Sequence, residues 1–166
     1  MILFTTSRKP SRRTRRFCRE LSSVIPHSLC VNRGKASVRE VADRAVADGF
    51  SRVIFILETK GNPSALRVMD VSPARWDWMG QMYISSVSLL LDRKARISKP
   101  DAEGLCVDAD KFGSVLSRVF EPLECEDDAV ILIERGGKIH FEYEGESVGP
   151  EFEVTGWSAV PRVLEQ

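Results

Sequence analysis

The residues with the most chemical capacity crowd the start of the chain: Thr5-Thr6-Ser7-Arg8-Lys9-Pro10-Ser11-Arg12-Arg13-Thr14-Arg15-Arg16-Phe17-Cys18-Arg19-Glu20-Leu21. Seven arginines and lysines fall between Arg8 and Arg19 with no acid among them. Guanidinium forks bind phosphate oxygens in pairs, and the free N–H groups of a helix start favour anions. Such a segment recognises phosphate rather than making or breaking bonds. The bland alternative is a solvated charged helix face. The single sign of the cluster and its place at a helix start favour phosphate. The candidate contacts are Ser7, Arg8, Lys9, Ser11, Arg12, Arg13, Arg15, Arg16 and Arg19, joined by the basic turn Asn32-Arg33-Gly34-Lys35.

These residues need elements to hold them. Met1 to Phe4 is a short apolar run suited to a buried strand, and Ser7 to Pro10 reads as a turn. From about Ser11 to Ile25, Thr14, Phe17, Cys18, Leu21, Val24 and Ile25 recur at three- and four-residue spacing, which predicts a helix with one apolar face. Arg12, Arg15, Arg16 and Arg19 fall on the opposite face, and Pro26 stops the helix. Arginine in a first helical turn opposes the macrodipole. A local choice that works against the fold marks function.

The remaining chain alternates strand and helix signals. A short strand over 28–32 precedes a helix from Val38 to about Asp48, capped by Ser37 with Glu40 and closed by Gly49. Arg52 to Glu58 is apolar throughout its interior, as in a strand covered on both faces. Gly61-Asn62-Pro63 turns the chain into a strand over Ala65 to Val71. An irregular piece with Trp76 and Trp78 follows; core or lobe-interface packing is favoured for their rings over stacking on bases. Met82 to Leu91 reads as a strand, Asp92 to Gly104 as a loop, and Asp108 to Phe120 as a helix. Ala129 to Glu134 is a strand, Gly136-Gly137 a hairpin turn, and Ile139, Phe141 and Tyr143 alternate with polar residues. Gly149-Pro150 breaks that strand before a last one over Phe152 to Trp157. Strand 28–32, helix 38–48 and hairpin 52–71 are echoed by strand 82–91, helix 108–120 and hairpin 129–143. This predicts one α/β domain over 1–166 with two similar halves, about 1–75 and 76–166.

Composition adds an asymmetry. Net charge is zero over 166 residues, yet residues 1–44 hold 11 basic and 3 acidic residues (+8) and the remainder is −8. A polyanion on one side fits that pattern. Glu121 to Glu153 holds 11 acids against Arg135 and Lys138. This acidic surface either keeps the protein in solution or docks a basic protein. Cys18, Cys30, Cys106 and Cys125 form no C-x-x-C pair, which predicts free buried thiols in a reducing cytosol. With only His27 and His140 besides, no metal site is expected. No signal peptide is visible, and no apolar run is long enough for a membrane span. Phosphate-loop, dinucleotide-binding, nucleophile-elbow and zinc-protease motifs are missing, so no cofactor is expected and an enzyme is disfavoured.

The opening segment resembles the Brix-domain family of ribosome-biogenesis proteins. The matching residues are Thr5-Thr6-Ser7-Arg8 with Pro10-Ser11, then Arg13-Thr14, Phe17, Glu20-Leu21, Pro26 and Asn32-Arg33-Gly34. A second match is Val148-Gly149-Pro150 followed by Phe152-Glu153. The chain is most similar to short archaeal members that consist of the domain alone. The resemblance implies binding of precursor ribosomal RNA and a role in its processing and in subunit assembly, cytoplasmic here and nucleolar in eukaryotic relatives. It also implies two halves similar to the anticodon-binding domain of class IIa aminoacyl-tRNA synthetases, and a nucleic-acid-binding segment over residues 5 to 34 likened to one in sigma factors. Family members usually carry arginine after the Gly-Pro, where this chain has Glu151. That departure shifts weight to the N-terminal segment. The resulting expectation is a non-catalytic RNA-binding assembly factor. The alternatives are an acidic scaffold for ribosomal or other assembly proteins, through the C-terminal half, and a metal-dependent processing nuclease.

Overall fold

The computed structural model describes residues 1–123 and 125–159. In chain order the elements are β1 (Ile2–Thr6), α1 (Arg12–Val24), β2 (Ser28–Cys30), α2 (Val38–Ala47), β3 (Arg52–Thr59), β4 (Asn62–Val71) and β5 (Trp76–Ser88). A 3-10 turn at Leu91–Arg93 follows, then β6 (Gly104–Ala109), α3 (Gly113–Phe120), β7 (Ala129–Arg135), β8 (Lys138–Tyr143) and β9 (Glu146–Ala159). The strands form a mixed sheet of nine, ordered β2-β1-β3-β4-β5-β9-β8-β7-β6. Among the described residues no helix is long and apolar enough to cross a membrane.

Outward from the central antiparallel pair β5–β9, the order is mirrored. The neighbours are β4, β3 and β1 on one side and β8, β7 and β6 on the other. The parallel pair β1–β3 is matched by β6–β7, and each carries its crossover helix, α1 or α3. The repeat is therefore present in another register than the sequence predicts. β1, α1 and β3 to β5 correspond to β6, α3 and β7 to β9, with β2 and α2 inserted in the first set. In strand order the first of these sets ends with β5, at Ser88.

β3 shows why RVIFILE is continuously apolar. Ile54 and Ile56 join one core cluster with Phe17, Leu21 and Val24 of α1 and with Leu116, Val119 and Phe120 of α3. Val53 and Phe55 point to the other face, where Val41, Ala42 and Ala45 of α2 cover them. So α1 and α3 share one face of the sheet, and α2 lies on the other. At the centre, Trp157 of β9 crosses Gly80 of β5. A Cβ there would lie 2.4 Å from the indole, so only glycine fits.

Several expected boundaries move, each for a tertiary reason. β5 starts at Trp76 and takes in both tryptophans, because it pairs with β4 from Val71 onward. The 3-10 turn at Leu91–Arg93 overlaps the start of the expected 92–104 loop, and Gly104 at its end already belongs to β6. The expected helix start at Asp108 lies in β6, which pairs parallel with β7. α3 begins only at Gly113, where the Glu134 carboxylate of β7 accepts hydrogen bonds from the Lys111 and Phe112 N–H groups. The Gly136-Gly137 hairpin forms as predicted, both residues having positive φ. The turn after β8 is Glu144-Gly145, also at positive φ, and β9 runs straight through Gly149-Pro150. The first hairpin turns at Lys60-Gly61, with Pro63 already in β4 opposite Glu58, where the register shifts.

The cysteines are not free thiols. Cys18 is bonded to Cys30 and Cys106 to Cys125, with Cα atoms 5.9 and 4.9 Å apart. These distances suit a bridge. Partners 12 and 19 residues apart meet only through the fold, so no local spacing reveals them.

Candidate nucleic-acid interface

The start of α1 is built around a carboxylate. Ser11 is the N-cap, its hydroxyl accepting from the Thr14 N–H. Glu58, at the end of β3, accepts from the Ser11 N–H at 3.0 Å and from the Thr14 hydroxyl. Desolvation pushes the Glu58 carboxyl up, but the Thr14 and Ser11 hydrogen bonds outweigh it and hold the group below its usual value. An acid from another strand thus offsets the arginine-rich first turn, which has no acid of its own. The helix end already faces an anion, and Ser11 serves as a cap.

The arginines divide into two sets. Arg13 is half-buried, forming an ion pair with Asp92 at 2.9 Å and donating to the Val87 carbonyl. Its hydrogen bond, followed by that of the Leu89 N–H, holds the Asp92 carboxyl below its usual value. Arg16 donates to Glu20 at 2.7 Å, and Glu20 is fully buried, its other oxygen accepting from the Leu90 N–H. Arg13 and Glu20 thus fasten α1 to the end of β5 and the segment after it, and Arg16 balances the Glu20 charge. Arg33 donates to the Ala36 and Thr6 carbonyls and lies over the Phe55 ring at 5.2 Å. Burial, then the nearby Arg8, lowers its pKa. Arg33 therefore braces the 32–35 turn.

Arg8, Lys9, Arg12, Arg15, Arg19, Asn32 and Lys35 are exposed, and among the described residues none of these cations is in an ion pair. Arg15 makes one contact, to the Pro10 carbonyl. Ser7, just after β1, is occupied through its N–H, which donates to the Ile56 carbonyl of β3, and Gly34 supplies a positive φ of 57° at the turn. Arg12, Arg15, Arg16 and Arg19 converge with Thr6, Cys30, Val31, Asn32 and Leu91 on a groove of about 460 Å³. The Cys18–Cys30 bond ties the two walls of this groove, α1 and β2, together. The sequence thus located both walls. It missed Glu58, Glu20 and Asp92. Of these, only Glu20 carries a local signal, its i+4 spacing from Arg16.

No family model matches the chain. A "probable Brix domain-containing ribosomal biogenesis protein" of Pyrococcus horikoshii is 40% identical over 89 residues, 54% of this chain and 40% of that protein. The chain thus matches less than half the length of that relative. The protein of the same description from Aeropyrum pernix is 32% identical over 162 residues, covering 88% of this chain and 90% of the relative. The chain belongs to the Brix-domain family. The crystal structure of a probable ribosomal biogenesis protein from Aeropyrum pernix superposes with a TM-score of 0.80 at 30% identity, over 92% of this chain and 94% of that one. An archaeal Imp4-like protein shares the fold, with a TM-score of 0.70 at 24% identity.

The Brix motif residues now have physical roles. Gly149 has a φ of 68°, and a Cβ there would meet the Val24 side chain at 3.0 Å, so glycine lets α1 close onto β9. Glu151 pairs with Arg93 at 2.8 Å, and Arg93 also donates to the Gly149 carbonyl. In this Brix domain the C-terminal motif anchors the 3-10 turn. The acidic loop is fixed separately. Cys125 is bonded to Cys106, and the Tyr143 hydroxyl donates to Asp128 at 2.8 Å, which pushes its pKa up to about 12. Glu103, Glu126, Asp127 and Asp128 surround an open cavity there, while Glu124 lies outside the described residues.

Proposed function

We propose that this Brix domain is a non-catalytic ribosome-assembly factor that binds precursor ribosomal RNA along the exposed arginine face of α1 and the Asn32–Lys35 turn. The observation that carries the reading is the groove in which Arg12, Arg15 and Arg19, free of acidic partners among the described residues, face Asn32. Such a surface binds backbone phosphates without reading sequence. The names of the relatives support a role in ribosome assembly, and a cytoplasmic location in an archaeal cell belongs to the same proposal. A likeness of each half to the class IIa synthetase anticodon-binding domain belongs to the same proposal. The acidic loop, with four carboxylates around one cavity, suits a basic ribosomal or assembly protein as a second partner.

The test is the salt dependence of RNA binding. Three phosphate contacts, from Arg12, Arg15 and Arg19, give a slope of log affinity against log salt of about −2 on single-stranded RNA. Arg16 is excluded from this count because Glu20 holds it. A slope near zero overturns the reading. Metal-dependent cleavage of the RNA would instead identify a nuclease.

A further inference from the structure

The tryptophans of β5 stand outside the arginine groove. On the α2 side of the sheet, Val38, Arg39, Asp43 and Val46 face the 72–75 turn and Trp76 and Trp78 across a groove of about 790 Å³. Trp78 is already engaged: it packs on Phe55 at 5.4 Å, and the Arg67 guanidinium lies 4.4 Å from its ring centroid. Trp76 stands edge-on to Trp78, half-buried, at 6.2 Å and 86°. Arg75, on the rim, pairs with Asp77 at 3.1 Å. Arg39 is exposed and in no ion pair among the described residues, and Asp43, one turn further along α2, is the acid beside it on the same wall of the groove. β2 is the edge strand, so the Asn32–Lys35 turn lies where the α1 face passes into the α2 face. Lys35 and Arg39 continue the exposed positive charge from one face to the other.

We propose that this groove takes one unpaired nucleotide of a single-stranded RNA, the base stacked on Trp76 and the adjoining phosphate on Arg39. The strand would then run from the arginine face around the β2 edge. The proposal rests on the RNA-binding reading above. Aromatic rings interleaved with cations are the usual platform for single strands, because every base has a face to stack. A proline-rich peptide would also find aromatic walls, but the cations leading to the groove complement a polyanion.

The experiment titrates the full chain with a short and a longer single-stranded oligoribonucleotide, of about 4 and 12 nucleotides. The variants are Trp76→Ala, Trp76→Phe, Arg39→Gln and the triple variant R12Q/R15Q/R19Q. Trp76→Ala weakens the longer strand by about 5- to 100-fold and leaves the short one, held by the arginine face, unchanged. Trp76→Phe retains most of the affinity. Parent-like binding of the longer strand by Trp76→Ala overturns the proposal, as does capture of a polyproline peptide that Trp76→Ala abolishes. Should Trp76→Ala fail to fold, Arg39→Gln decides: a several-fold loss confined to the longer strand supports the site, and no loss overturns it. If the triple variant binds both strands like the parent, the RNA reading fails. If it loses both while Trp76→Ala and Arg39→Gln lose neither, only this groove is refuted.

Discussion

At the scale of residues, arginines of one helix do different work. Arg16 compensates a carboxylate that is fully buried, whereas Arg19 faces solvent. Removing one partner of a buried pair leaves the other uncompensated. Arg16→Gln is therefore expected to lower stability by about 2 kcal/mol, and Arg19→Gln to change it by less than about 0.5 kcal/mol. Chemical denaturation of the two variants measures the contrast. Glu58 has a pH signature. Its carboxyl is held below its ordinary value near 4.5, so it favours the folded state above that pH. The contribution is lost as the pH falls through the lower, folded-state pKa. Glu58→Gln should cost about 1 kcal/mol at neutral pH, and the gap between parent and variant should close on acidification below about 4.5. Melting curves from neutral to acidic pH follow it. A gap that widens on acidification would mean that Glu58 is not the anion serving the α1 start.

At the scale of elements, the Cys18–Cys30 bond joins α1 to the edge strand β2, a strand of three residues. A cross-link over so short a loop stabilises by about 2–3 kcal/mol. Cys18→Ala with Cys30→Ala, which leaves Cys106–Cys125 intact, should lower the melting temperature by about 5–10 °C. Mass spectrometry of the alkylated chain checks the bond itself. How legible each element was in the sequence follows from where its stabilising contacts lie. α1 was readable because its own 3.6-residue period sorts Phe17, Cys18, Leu21 and Val24 from the arginines. β3 and the Gly136-Gly137 hairpin were readable for the same local reason. β6 was hidden, because Asp108 and Asp110 imitate helix-start signals while the residues of β7 that pair with it lie 25 positions on. Gly149-Pro150 resembled a break, although Gly149 is there to admit Val24 of a distant helix. In the candidate site the basic residues were visible. The acids that take Arg13 and Arg16 out of the exposed set were not, because Asp92 and the Leu90 N–H come to α1 only through tertiary packing.

At the scale of the whole molecule, the mirrored sheet presents two surfaces of opposite sign. The basic one lies on α1 and the turn after β2. The acidic one gathers Glu103, Glu126, Asp127 and Asp128 beside β6 and β7. The mirrored order does not extend to charge: α1 carries the arginines, while α3 has Arg118 alone. If RNA is bound by the first surface, charge should be removable there without harm to the fold, because Arg and Gln have similar helix propensity. The most direct measurement compares RNA affinity and melting temperature in R12Q/R15Q/R19Q, which spares Arg16, and in E126Q/D127N, which spares the Asp128 partner of Tyr143. The arginine variant is expected to melt like the parent and to bind RNA at least about tenfold more weakly, while the acidic variant binds RNA as well as the parent or better. Parent-like RNA binding by the arginine variant, with loss of binding in the acidic one, would contradict RNA binding by the first surface.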